Sequence, residues 1–299
     1  MNQIRFVELV AIAAVILAAC APARSASSPD GGAPQAPAVK QRLVGSILAD
    51  PAGMFKQLTN PGGNGNVPGL PEITDMVHDG VAYSDDLDVW QPLLAEAVPS
   101  AENGLWKISP DGRMETTWRL KPNLKWHDGT PFSSEDFAFA AKFNNDLDIG
   151  VVPPAPLALI DAIETPDPRT IVVKWKEPFI EADSMFTPIS VLPLPRHILE
   201  KPYAEDKANI FSLPYWTTEY VGMGAFKIRE WVPGSHMTLV ANDQYVLGRP
   251  KLDEIEVRFL TDVNIVTANL LSGAVEKHIG RGLGVEQTMQ LRDMAQNQN

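Results

Sequence analysis

Between Met114 and Phe143 the hydrophobic period changes from two residues to that of a helix, and this restricts the fold more than any other stretch. In METTWRLK, Met114, Thr116, Trp118 and Leu120 share one side and polar residues the other, the pattern of a half-buried strand. SPDG at 109–112 supplies the turn before it, because Pro presets one dihedral and Gly accepts an unusual one. Pro122-Asn123 closes the strand, Leu124 and Trp126 face one way, and Asp128-Gly129 forms a tight turn. Ser133 then stands as an N-cap with Asp136 three residues on, and Phe137, Ala140 and Ala141 recur at helical spacing on an inward face. His127 alone has no evident structural task in this stretch. A His beside an Asp is not a catalytic dyad without a nucleophile and a pocket, so a structural role is expected for it.

The rest of the chain continues the mixture. A second hairpin is expected at 160–176, with Ile160–Thr165, a Pro-Asp-Pro turn, and Ile171, Val173 and Trp175 alternating. A third runs from Ala225 to Trp231, turns at Pro233-Gly234 and returns over His236–Ala241. Ile255, Val257 and Phe259 mark another strand, Thr261-Asp262 are helix-capping residues, and 263–272 and 284–296 read as helices. Strands and helices without strict alternation give an α/β or α+β architecture.

At the N-terminus, Arg5 precedes an uncharged run from Leu9 to Ala19, too short to span a bilayer and suited to a signal-peptide core. It ends in Leu-Ala-Ala-Cys, with Cys20 the chain's one cysteine. Such a site resembles the lipobox of bacterial lipoproteins, so residues 1–19 are expected to be a signal peptide and Cys20 the lipidated mature N-terminus. Residues 20–40, rich in Ala, Pro, Ser and Gly, read as a flexible tether. A diacylated Cys20 would hold the protein at the outer face of a membrane.

Chemistry-bearing motifs are scarce. The sequence has no GxSxG, SxxK or HExxH, and its five histidines are widely separated. Gly280, Gly282 and Gly284 lack the spacing of a phosphate loop and read as a domain-crossing turn. Asp85, Asp86 and Asp88 lack the Gly and terminal Glu of a calcium loop and read as a solvated turn. One cysteine excludes an internal disulfide and Cys-based zinc. A formal charge of −12 argues against nucleic acid as a partner. No enzyme activity, metal or cofactor is expected.

TWRLKPNLKWHDGTPFSSEDFAFAAKF, with the later segments YVGMGAFKIREWVPGSHMTLVANDQYVLGRPKLDEIEVRFL and VNIVTANLLSGAVE, closely resembles the family 5 extracellular solute-binding proteins. These are the oligopeptide-, dipeptide- and nickel-binding components of ABC importers. The resemblance implies a two-lobed α/β fold of the type II periplasmic-binding-protein kind, closing on its ligand. By this similarity residues 41–80 and 205–278 form the first lobe, 81–204 an extra domain set into it, and 279–299 the start of the second lobe. Members are longer than 299 residues, so only the first lobe and its extra domain are expected to be essentially present. The extra domain is expected to shape the lobe and stay away from the ligand.

The resemblance also implies a monomeric, lipid-anchored, extracytoplasmic protein that presents a peptide or similar small solute to ABC importer permease subunits. A sensor lipoprotein docking on a membrane receptor would share the fold, and a secreted hydrolase is the least favoured alternative. The candidate ligand residues are Asn64, Asn66 and Val67, in a loop offering backbone hydrogen bonds, and Tyr215 and Trp216, as aromatic walls.

Overall fold

The computed structural model describes residues 40–55 and 67–296. Cys20, the signal-like run, the tether before residue 40, Asn64 and Asn66 lie outside the described residues. Within them the chain builds strand β1 (Arg42–Ile47), helix α1 (Leu70–Val77), and the short strands β2 (Ala82–Ser84), β3 (Trp90–Pro92) and β4 (Trp106–Ile108). There follow β5 (Met114–Arg119), α2 (Ser134–Asn144), the single turn α3 (Ala155–Ala158), β6 (Ile160–Asp167), β7 (Thr170–Trp175) and α4 (Arg196–Glu205). Strands β8 (Phe226–Val232), β9 (His236–Ala241) and β10 (Glu254–Phe259), helix α5 (Val263–Leu271), strand β11 (Lys277–His278) and helix α6 (Val285–Gln296) complete it.

Two main sheets result. One has the order β11-β1-β10-β9-β8, with β1 parallel to both β10 and β11 and the β8–β10 run antiparallel. The other is wholly antiparallel in the order β4-β5-β7-β6. On β5 the expected side is buried, with Met114, Thr116 and Trp118 inside, and the facing β7 buries Ile171, Val173 and Trp175. Trp175 donates its indole N–H to the Thr116 hydroxyl at 2.9 Å, which satisfies the one polar residue of that inner face. The hairpin at 160–176 differs in one respect. Strand β6 continues through Pro166 to Asp167, so the turn is Pro168-Arg169 rather than Pro-Asp-Pro. It tolerates the proline because β6 is the sheet's edge, where a missing N–H costs no ladder bond.

Helix α2 packs on β6, β7 and α4 and buries Phe137, Phe139, Ala140, Ala141 and Phe143. Asp136 fixes two helix starts at once. One carboxylate oxygen accepts from the Ser133 N–H at 2.9 Å, and the other from the Arg196 N–H, at the head of α4, at 3.1 Å.

The segment Gly222-Met223-Gly224 joins the two sheets' surroundings. It runs over the last turn of α1, with the Gly224 N–H donating to the Val77 carbonyl at 3.0 Å. A β-carbon on Gly222 would lie 2.0 Å from that carbonyl oxygen, and one on Gly224 2.4 Å from its carbon. The Gly222 and Gly224 pair is therefore a close-approach requirement. His127 clasps the same segment from the other side. Its backbone N–H donates to the Gly222 carbonyl at 2.9 Å. Its Nδ1 accepts from the Gly222 N–H at 3.2 Å, and its Nε2 donates to the Gly224 carbonyl at 3.0 Å. The one residue without an evident task thus has a structural one. Asp128 pairs instead with His197, at 2.7 Å.

Candidate ligand-binding site

Strands β1, β10 and β11 run parallel, so their carboxyl ends share one edge of the sheet, the usual place for ligands on α/β sheets. The chain returns across that edge at the start of α1. Gly69, at positive φ, sits so close to Ile47 that a β-carbon there would fall 2.2 Å from the Ile47 Cγ2. Gly280 presses on Gly69 in turn, at 2.5 Å from its Cα to a β-carbon placed on Gly280. These contacts fix the position of α1, and α1 carries the floor of a cavity.

That cavity has a volume of about 430 Å³. Leu70, Thr74, Asp75 and His78 border it from successive turns of α1, spaced so that one helix face looks into it. Met54, Phe55 and Val67 close one side, and Tyr215, Trp216 and Tyr220 another. The opposite wall is residues 188–192 and Leu194, with Asn144 at the end of α2. Three of the residues expected from sequence, Val67, Tyr215 and Trp216, therefore meet around one space. The wall at 188–192 and 194 was not foreseen. It comes from the region expected to stay away from a ligand.

The aromatic wall is rigid. The Trp216 indole N–H donates to the Ile210 carbonyl at 2.7 Å, and its own carbonyl accepts from the Met54 N–H at 2.8 Å. Tyr215 lies edge-on to Trp216 and stacks on Tyr220, with ring centroids 4.8 and 5.4 Å apart. Phe55 leans on Trp216 at 4.8 Å.

His78 is the residue sequence reasoning missed. It is the C-cap of α1, its N–H bonded to the Thr74 carbonyl at 2.8 Å, and its ring is parallel to Trp126 at 5.8 Å. Its Nε2 is 2.8 Å from the Pro193 carbonyl, which only an N–H can satisfy. Burial holds its pKa down to about 4, against the opposing pull of that carbonyl, so the ring is neutral. Nδ1 is then a bare acceptor, buried and without a partner among the described residues. Asp75, one turn earlier, is exposed at the mouth. Desolvation by the surrounding protein, and second the neighbouring Glu72, push its carboxyl above the usual carboxylate range. A helix-period reading of 70–78 would have put Thr74 and His78 on one face, but only the Pro193 contact reveals which nitrogen is free.

The model of the family described as bacterial extracellular solute-binding proteins, family 5 Middle, matches residues 90–294. The chain belongs to this family. A putative ABC transporter peptide-binding protein of Brucella ovis is 33% identical over 196 residues, 66% of this chain and 36% of its own length. The oligopeptide-binding protein AppA of Bacillus subtilis is 23% identical over 277 residues, 92% of this chain and 47% of its own. The structure of AppA in complex with a nonapeptide matches with a TM-score of 0.64 at 21% identity, over 79% of this chain and 44% of that one. The oligopeptide-binding protein from Thermus thermophilus, complexed with a pentapeptide, matches with a TM-score of 0.65 at 20% identity, over 78% and 43%. The fold is thus the type II periplasmic-binding-protein fold, with its first lobe and extra domain essentially present. The chain spans less than half the length of these relatives.

Proposed function

We propose that this protein captures peptides or similar small solutes outside the cytoplasm and presents them to the permease subunits of an ABC importer. The observation that carries the reading is the cavity beside α1, walled by Val67, Tyr215 and Trp216, in a member of a solute-binding family. Relatives named as peptide-binding proteins support a peptide as the solute. On this reading residues 41–80 and 205–278 are the first lobe, 81–204 the inserted domain, and 279–299 the entry to the second lobe. The first lobe holds one side of the ligand, and closure of the second lobe shifts the population from open to closed. Asn64 and Asn66 shortly precede Val67 in the chain and would add backbone hydrogen bonds to an extended peptide. Cys20 carries the lipid anchor, with residues 20–40 as tether.

Native mass spectrometry of the protein extracted from its own cell membranes tests this. The expected species carries a diacyl mass increment at Cys20 and releases a peptide-sized molecule on collisional activation. An unmodified Cys20 would remove the anchor, and a species that never carries a small solute would remove the binding role.

A further inference from the structure

The wall that faces α1 across the cavity rests on a strained, tightly held turn. Phe186 is fully buried and holds φ at +66, a left-handed conformation that a bulky residue keeps only where its surroundings over-determine it. Its carbonyl accepts from the Val81 N–H at 3.0 Å, and a β-carbon on Gly80 would lie 2.3 Å from that carbonyl oxygen. Buried Met185 and Val191 anchor the chain on either side. Between them the Thr187 carbonyl accepts from the Ser190 N–H at 3.0 Å, which closes a β-turn with Pro188 and Ile189 as its central pair. Thr187 is tied back in turn, its hydroxyl donating to the Ser184 carbonyl at 2.6 Å. Proline presets the first central residue, so the tip has little freedom left.

That tip carries an isoleucine, which borders the cavity and is 75% exposed. An exposed aliphatic side chain on a surface needs no explanation by itself. Ile189 differs in standing on a fixed support beside a space of about 430 Å³, where an apolar group that entered would cover it and remove both surfaces from water. Resting on the solute-binding reading above, we propose that Ile189 is a specificity-determining residue that packs on an apolar side chain of the bound peptide. The region 81–204, which the family resemblance sets apart from the ligand, thereby takes part in choosing it. A large aliphatic side chain reaches the Ile189 surface, and alanine is too short to cover it.

Alanyl-leucyl-alanine and trialanine, titrated into the purified protein by isothermal calorimetry, test this. The wild type is expected to prefer the leucyl peptide by about tenfold, and Ile189→Ser to cut that preference to about twofold by weakening the leucyl peptide alone. Ile189→Leu should keep it. Ile180→Ser is the control: Ile180 is 87% exposed and does not border the cavity, so both affinities should stay unchanged. Should Ile189→Ser fail to fold, the wild type carries the test, with a nuclear Overhauser contact expected between the Ile189 δ-methyl and the leucyl methyls at saturation. Equal wild-type affinity for the two peptides, a preference that survives Ile189→Ser, or a missing methyl contact overturns the assignment and leaves the binding role standing. An equal loss for both peptides in Ile189→Ser also overturns it, because Ile189 would then act on the turn or on closure and not on side-chain choice. Failure of the wild type to bind either peptide at millimolar concentration overturns this proposal and the solute-binding reading together.

Discussion

His127 uses both ring nitrogens and its backbone N–H on two residues, Gly222 and Gly224, and its carbonyl accepts from the Lys227 ammonium at 2.8 Å. Burial, first among several influences, lowers its pKa to about 4, as it does for His78. Replacing His127 by Ala orphans the Gly222 N–H and leaves the Gly224 carbonyl with only its bond from Asn242 Nδ2, at 3.0 Å, and should cost about 2 kcal/mol in a urea titration. His197→Ala removes only the partly exposed pair with Asp128 and should cost about 0.5 kcal/mol in the same assay. Asp79 behaves oppositely. Burial raises its carboxyl to about 7, partly offset by a hydrogen bond from Tyr245, and its Oδ2 has no partner among the described residues. The two histidines therefore contribute stability that is present above their ordinary 6.5 and is lost as pH falls towards 4. Asp79 contributes stability that is present below 3.8 and is lost as pH rises through about 7. Near pH 5.5 the unfolded chain holds two protons on these groups and the folded chain one, so together they raise stability by about 1.4 kcal/mol per pH unit. Asp79→Asn should roughly double that slope between about pH 5 and 6, measured as unfolding free energy at several pH values. No sequence pattern announces any of this, because His127 and Asp79 take their environments from residues about a hundred or more positions away.

At the scale of elements, local signals were readable wherever a single period or cap decided the outcome. The alternation of β5, the Asp128-Gly129 turn, with Gly129 at φ +90, and the Ser133 start of α2 all follow from neighbouring residues. Asp262 likewise caps α5, accepting from the Asn264 and Ile265 N–H groups at 2.8 and 3.0 Å. What was not readable is that Asp136 also caps α4, sixty positions later. Asp136→Ala should then destabilise by about 2 kcal/mol, one cap for each helix, whereas Ser133→Ala should cost about 1 kcal/mol, both by chemical denaturation. Equal costs would mean that the Arg196 bond contributes little. Strand β6 shows the complementary failure. A Pro-Asp-Pro motif is a turn by composition, and only its place at a sheet edge lets the strand continue through it.

At the scale of the molecule, the three ordered motifs were enough to place the chain in its family, because they record a strand, turn and helix order rather than a single residue. The cavity was half legible. Tyr215 and Trp216 announced themselves by composition, while residues 188–192 and Leu194 joined them only through folding, and His78 only through the position of Pro193. The central claim is that a peptide occupies this cavity against α1. Photocrosslinking with a diazirine-bearing tripeptide, followed by mass spectrometric mapping, tests it most directly. The account predicts adducts on α1 between Thr74 and His78 and on the segment 188–194, competed away by unlabelled peptide. Competable adducts confined to the sheet of β4, β5, β7 and β6 would contradict it.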